Sequence, residues 1–265
     1  MPNSLSKLIL PRTSGFTLIE LAVVMLILAF LLTSGFMSLS ALRKTSNFTD
    51  ARKQLSEIEN ALYGFAIAYD RLPCPATPGN GGQANPLNPV TDCSTYIGFV
   101  PSNTLGISGS VNCDGLLTDP WGQPYRYSVV QVDAGNATGS DFVTSGGIRN
   151  EGMANVTPNI RICRDTSVAC LSSTPASNVV TDFAVAVIFS MGEPATNSSA
   201  ENENAGEGGT SVGSTCGLSP YALGNDIRYY SSPIIEVDGQ RYDDVLIWIS
   251  HTVLFNKLLE AGRLP

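Results

Sequence analysis

The chain has 265 residues, with 23 acidic side chains against 15 basic ones, a formal net charge of −8, six cysteines and one histidine. Bulk acidity disfavours non-specific nucleic-acid binding, which draws its affinity from basic groups meeting phosphates, and leaves only a local basic patch open. With one histidine and no Cys-x-x-Cys pair, zinc-type metal sites are excluded on spacing. No G-x-S-x-G elbow or phosphate-cradling loop is present, and a triad would depend on His251, so neither catalysis nor a cofactor is expected.

The N-terminus carries a short leader with Lys7 and Arg12 that ends at Gly15, followed by the apolar run FTLIELAVVMLILAFLL from Phe16 to Leu32. Together with Gly35 to Met37 the run reaches the ~20 residues that cross a bilayer. The basic residues ahead of it favour a cytoplasmic N-terminus, which sends the chain past about Met37 across the membrane. One carboxylate, Glu20, interrupts the run. A charge inside a membrane helix costs on the order of 3 kcal/mol or more, so it is expected to have a partner or a task.

The string GFTLIE, Gly15 to Glu20, between a polar leader and a long apolar helix, resembles the class III signal of type IV prepilins and type II secretion pseudopilins. The resemblance implies a leader, residues 1–15, removed by a prepilin peptidase that cuts after Gly15 and N-methylates Phe16. It also implies that Glu20 of one subunit neutralises the Phe16 ammonium of a neighbour in the dry interior of a fibre. The implied partners are the prepilin peptidase/N-methyltransferase, other pilin or pseudopilin subunits, an inner-membrane assembly platform, and membrane lipid before assembly. The implied location is the bacterial inner membrane, single-pass with the exported domain periplasmic, and then a pilus or pseudopilus. Removing 15 of 265 residues leaves 250, and losing Lys7 and Arg12 leaves 13 basic against 23 acidic side chains, a charge of −10. The alternative is a plain anchor or anchored binding domain whose Glu20 snorkels to the interface.

Past the apolar run, Leu55, Ile58, Leu62, Phe65 and Tyr69 recur at helical spacing with Arg52, Lys53, Glu57 and Glu59 between them. This predicts one helix over residues 16–71, transmembrane and then amphipathic, whose stripe packs on a sheet, with a coiled-coil partner as the rival. Leu72-Pro-Cys-Pro75 stops it. Residues 72–265 then form an exported globular domain. Ala76 to Asp92 and Gly98 to Gly115 read as loops. The string DPWGQPY, with Asp119, Trp121, Gly122, Pro124 and Tyr125, resembles one in the globular domains of secretion pseudopilins and reads as a turn feeding a strand. Phe183 to Phe189 and Val245 to Ile249 are predicted strands, and a short helix is predicted from Val253. The adjacent acids Asp243 and Asp244 would point to opposite faces of a strand, which argues against joint acid/base work.

Gly192 to Gly217 is a polar loop in which Glu201, Asn202, Glu203 and Glu207 offer oxygen ligands for calcium, although the spacing fits no EF-hand. The cysteines Cys74, Cys93, Cys113, Cys163, Cys170 and Cys216 all fall on the exported side, where an even number favours disulfides. Cys163 with Cys170 would staple a local loop, Cys74 with Cys93 would close the stretch between them, and the overall connectivity stays open. The fold class expected is α+β, a long N-terminal helix on an antiparallel sheet with disulfide-stapled loops. The function expected is that of a minor type IV pilin or pilin-like subunit, with a secretion pseudopilin or a non-polymerising anchored domain as alternatives.

Overall fold

A stripe of apolar residues at helical spacing forms a helix because only that conformation brings them onto one face. In the computed structural model, α1 runs from Leu18–Tyr69. The structure describes residues 15–89, 92–131, 142–155, 158–164, 170–171, 174–193, 204, 211–217, 220–222, 227–237 and 240–264. The leader up to residue 14, and Glu201, Asn202, Glu203 and Glu207 of the expected calcium loop, lie outside them. The chain divides into two compact units, 1–46 and 47–265.

In the first unit the helical side chains from Leu18 to Leu31 are all apolar except Glu20, and all are exposed: Leu18 is 90% and Phe30 71% accessible. Among the described residues no helix is long and apolar enough to cross a membrane; the side chains of residues 32–41, within the expected span, lie outside them.

In the second unit, Leu55, Ile58, Leu62 and Ala66 are fully buried, and Phe65 nearly so. The stripe therefore packs into a core. It does not continue to Tyr69, which is 56% exposed and only leans its ring on Phe65 at 4.5 Å. The helix ends before the prolines, where Asp70 takes φ 55°. Aspartate tolerates this left-handed conformation better than most side chains, and its carboxylate then pairs with Arg149.

After α1 the order is β1 (Ile97–Phe99), α2 (Ser102–Leu105), β2 (Arg126–Val129), α3 (Gly147–Asn155), β3 (Ile160–Cys163) and β4 (Val179–Ser190). There follow β5 (Ser211–Val212), β6 (Tyr221–Ala222), β7 (Arg228–Tyr230), β8 (Ile235–Val237), β9 (Gln240–Tyr242), β10 (Val245–Ser250) and α4 (His251–Glu260). The main sheet runs β1-β2-β4-β3-β7, with β10 also paired to β4. The long β4 is its spine, since β2, β3 and β10 all pair with it antiparallel. The sheet is mixed, not purely antiparallel as expected, because β7 pairs parallel to β3, Arg161 opposite Arg228. Parallel neighbours need a crossover connection, and here that connection carries β4, β5 and β6.

One core joins the inward face of α1 to Tyr125, Tyr127, Val129, Ile188 and Ile249 of the sheet region and to Leu254, Phe255 and Leu258 of α4. The six cysteines form three bridges, Cys74–Cys93, Cys113–Cys216 and Cys163–Cys170. Two of these are the pairs that spacing suggested, and the third ties the 112–117 turn to the segment before β6. Together they fit the α+β class expected from the sequence.

Candidate functional site

The N-terminal motif begins as irregular chain and becomes helix within three residues. Gly15, Phe16 and Thr17 precede the first helical residue, Leu18. A Cβ added at Gly15 would meet nothing within 4 Å, and the Phe16 side chain is 81% exposed. The peptide joining them is thus uncovered and non-helical, the state in which a protease can take a backbone into its cleft.

Thr17 and Glu20 then close on each other. The Glu20 amide donates to Thr17 Oγ1 at 3.3 Å, and the Thr17 amide and hydroxyl donate to Glu20 Oε2 at 3.4 and 3.3 Å. Thr-x-x-Glu with these reciprocal bonds is a capping box, which satisfies helix-start donors that would otherwise be orphaned. The carboxylate also complements the positive end of the helix dipole. Removal of residues 1–15 would leave the box intact, since its atoms belong to Thr17 and Glu20. The pattern T-x-x-E ahead of an apolar run was legible in Thr17-Leu-Ile-Glu20, and the sequence reading attended to the glutamate alone.

The globular unit holds the other residues singled out. Asp119 Oδ1 accepts from the Trp121 amide at 3.0 Å and the Gln123 amide at 2.8 Å, and its Oδ2 accepts from Ser190 Oγ. Gly122 takes φ 85° in the same turn, a conformation suited to glycine. Trp121 packs edge-on against Phe48 at 4.9 Å, and the Tyr125 hydroxyl donates to Gln54 Oε1 at 3.1 Å. The DPWG turn therefore binds the start of β2 to α1 and to the end of β4. Burial pushes the Asp119 carboxyl up to about 6, with the bonds from Ser190, Gln123 and Trp121 pulling back only part of the way.

Asp243 and Asp244 lie in the turn before β10 and not on a strand. Asp243 Oδ2 accepts from the Glu193 amide, and Asp244 Oδ2 accepts from Asn204 Nδ2. His251 opens α4, with Nδ1 3.2 Å from the Phe183 carbonyl oxygen and its ring 5.8 Å from that of Phe183. The one cluster of metal-ligand types among the described residues is Cys113, Asp114 and Cys216, and its two sulfurs are spent on a disulfide.

Asp114 is a hub that the sequence reading missed. Its carboxylate accepts from the Thr215 amide at 2.7 Å, Thr215 Oγ1 at 2.6 Å, Ser214 Oγ at 2.8 Å and the Tyr221 hydroxyl at 2.7 Å. Burial pushes the group up, but the bonds from Thr215, Tyr221 and Ser214 outweigh it and hold the carboxyl at about 2. Asn112 shapes the turn from below, its Oδ1 accepting from the Asp114 and Leu116 amides.

Residues 10–36 match the prokaryotic N-terminal methylation motif. No curated protein and no solved structure gives a significant match to the chain. The matched segment is a class III signal of the type IV prepilin and pseudopilin type, which supports a type IV pilin-like or pseudopilin-type protein. Such a motif implies processing by a prepilin peptidase and assembly with other pilin-type subunits.

Proposed function

We propose that this chain is a minor type IV pilin or pilin-like subunit, cut after Gly15, methylated at Phe16 and assembled into a pilus through α1. The observation that carries the reading is the methylation motif at 10–36, continued by a helix whose apolar residues are exposed on every side. A helix apolar all round belongs against lipid or against other helices. Before assembly lipid covers it and anchors the chain in the inner membrane; after extraction neighbouring subunits cover it. The protein works by assembly and not by turnover.

The capping box adds a physical detail. Within a single chain Glu20 is held by Thr17, which lowers the cost of keeping a carboxylate on an apolar helix. In a fibre the Phe16 ammonium of a neighbour offers a stronger, charged partner, and a buried pair of this kind fixes axial register. The test is Glu20→Ala in a fibre-forming host. Cleavage and membrane insertion are expected to persist while incorporation into fibres falls. Incorporation at the wild-type level would refute the register role. A secretion pseudopilin is the second reading, supported by the DPWG string from Asp119 to Gly122, and genomic neighbours separate the two.

A further inference from the structure

The three disulfides of the globular unit differ in access. Cys74, Cys93, Cys163 and Cys170 are buried, whereas Cys113 and Cys216 are both exposed. Thiol–disulfide exchange requires a thiolate to reach a sulfur, so access alone singles out the Cys113–Cys216 bridge.

The surroundings of this bridge are not neutral toward that chemistry. Asp114 follows Cys113 in the chain, its Oδ1 lies 3.7 Å from Cys216 Sγ, and one of its oxygens and both sulfurs all lie within 4.8 Å of one another. Burial raises this carboxyl, but the bonds from Thr215, Tyr221 and Ser214 outweigh it and hold the group at about 2, so it is charged wherever thiols react. The same bonds consume the neighbouring donors. Ser214 Oγ and the Thr215 amide donate to Asp114, and the Cys216 amide donates to Ser214 Oγ. Thr215 Oγ1 stands 4.0 Å from Cys216 Sγ, yet its one proton goes to Asp114 at 2.6 Å. Exchange brings two anions to this place, the incoming thiolate and the sulfur that leaves as a thiolate. A fixed like charge about 4 Å away slows such a step roughly fivefold even with the dielectric of water.

We propose that Cys113–Cys216 is a thiol–disulfide exchange site whose specificity Asp114 sets, repelling anionic thiols and admitting a dithiol flanked by basic groups. A thiolate of that partner attacks one bridge sulfur and forms a mixed disulfide, while the other sulfur leaves as a thiolate and takes a proton from water. The partner's second thiolate then displaces the remaining cysteine, which is protonated in turn. The dithiol ends oxidised to a disulfide, and the bridge ends reduced by two electrons to two thiols. The covalent tie between the 112–117 turn and the segment before β6 opens, and Asp114 still holds Ser214, Thr215 and Tyr221. The site lies in the 47–265 unit and is independent of the assembly reading.

The test uses the full, oxidised chain in uncharged detergent micelles, treated with cationic cysteamine or anionic 2-mercaptoethanesulfonate. Adducts at Cys113 and Cys216 are followed by mass mapping, and each rate is divided by the same thiol's rate on bis(2-hydroxyethyl) disulfide. Cysteamine is expected to be about tenfold faster at low salt, with the gap narrowing in 1 M salt, where screening acts over about 3 Å. Asp114→Asn is expected to shrink the ratio severalfold. That substitution can also loosen the segment, but loosening speeds both thiols alike and leaves their ratio unchanged, and the salt dependence of the wild type needs no variant. Equal normalised rates for the two thiols, a ratio that neither salt nor Asp114→Asn reduces, or first reaction at the four buried cysteines would overturn the proposal.

Discussion

Replacing Asp114 by Asn tests whether this carboxylate fastens Ser214, Thr215 and Tyr221 to the 112–117 turn. The native group is 2% exposed and accepts four hydrogen bonds, which hold it at about 2 against an ordinary 3.8. A folded pKa below the unfolded one means that the folded state binds fewer protons. The group therefore stabilises the fold above about pH 4, and that contribution is lost as pH falls toward 2. A depression of about two units corresponds to roughly 2.5 kcal/mol. Thr215, one of the donors, is exposed to solvent, so screening reduces the expected figure to ~1–2 kcal/mol. Asp114→Asn should thus lose ~1–2 kcal/mol in denaturant unfolding at pH 7 with the disulfides intact, and the gap to wild type should close toward pH 2. Amide exchange at Thr215, whose N–H bonds Asp114 directly, should quicken about tenfold or more for each 1.4 kcal/mol lost. Equal stability at pH 7, or a gap that stays constant down to pH 2, would refute the assignment.

The Cys113–Cys216 bridge spans 103 residues and both its cysteines are exposed, whereas the other four cysteines are buried. Graded reduction followed by alkylation and mass mapping should label Cys113 and Cys216 first, and a paired Cys113→Ser, Cys216→Ser variant should lose about 5 kcal/mol, as loop-closure entropy predicts. Asp119 has the opposite sign to Asp114: its folded pKa of about 6 lies above 3.8, so the folded state binds the extra proton and stability falls as pH rises from about 4 through 6. Stability curves from pH 4 to 7 should show a loss on the order of 2–3 kcal/mol from this group in the wild type and none of that slope in Asp119→Asn.

The sequence revealed what has a period or a run. Leu55, Ile58 and Leu62 showed a helix and its buried face, Phe183 to Phe189 and Val245 to Ile249 showed the spine strand β4 and its partner β10, and the cysteine spacing suggested two of three bridges. The stripe misled at Tyr69, because Asp70 turns the chain left-handed and leaves that ring at the surface. Short strands such as β1, β3 and β7 were invisible, since three or four residues carry no period and Ile97-Gly-Phe99 sat in a glycine-rich stretch. Asp114 was equally hidden: its donors Ser214, Thr215 and Tyr221 lie about a hundred positions away, and only folding joins them. Arg126 read as one polar member of an alternating strand, and nothing local announced that its Nε and Nη1 would be buried without an acceptor among the described residues. At the N-terminus the Thr17 cap was available in the string Thr17-Leu-Ile-Glu20, while the environment of Gly15 and Phe16 required coordinates.

Intact mass and N-terminal sequencing of the protein purified from its native membrane test the central claim most directly. The account predicts a mature chain that begins at Phe16 and carries one added methyl group on its amino terminus. A chain that still begins at Met1, or is cut anywhere other than after Gly15, would contradict it and leave the exposed helix as the anchor of a domain that never polymerises.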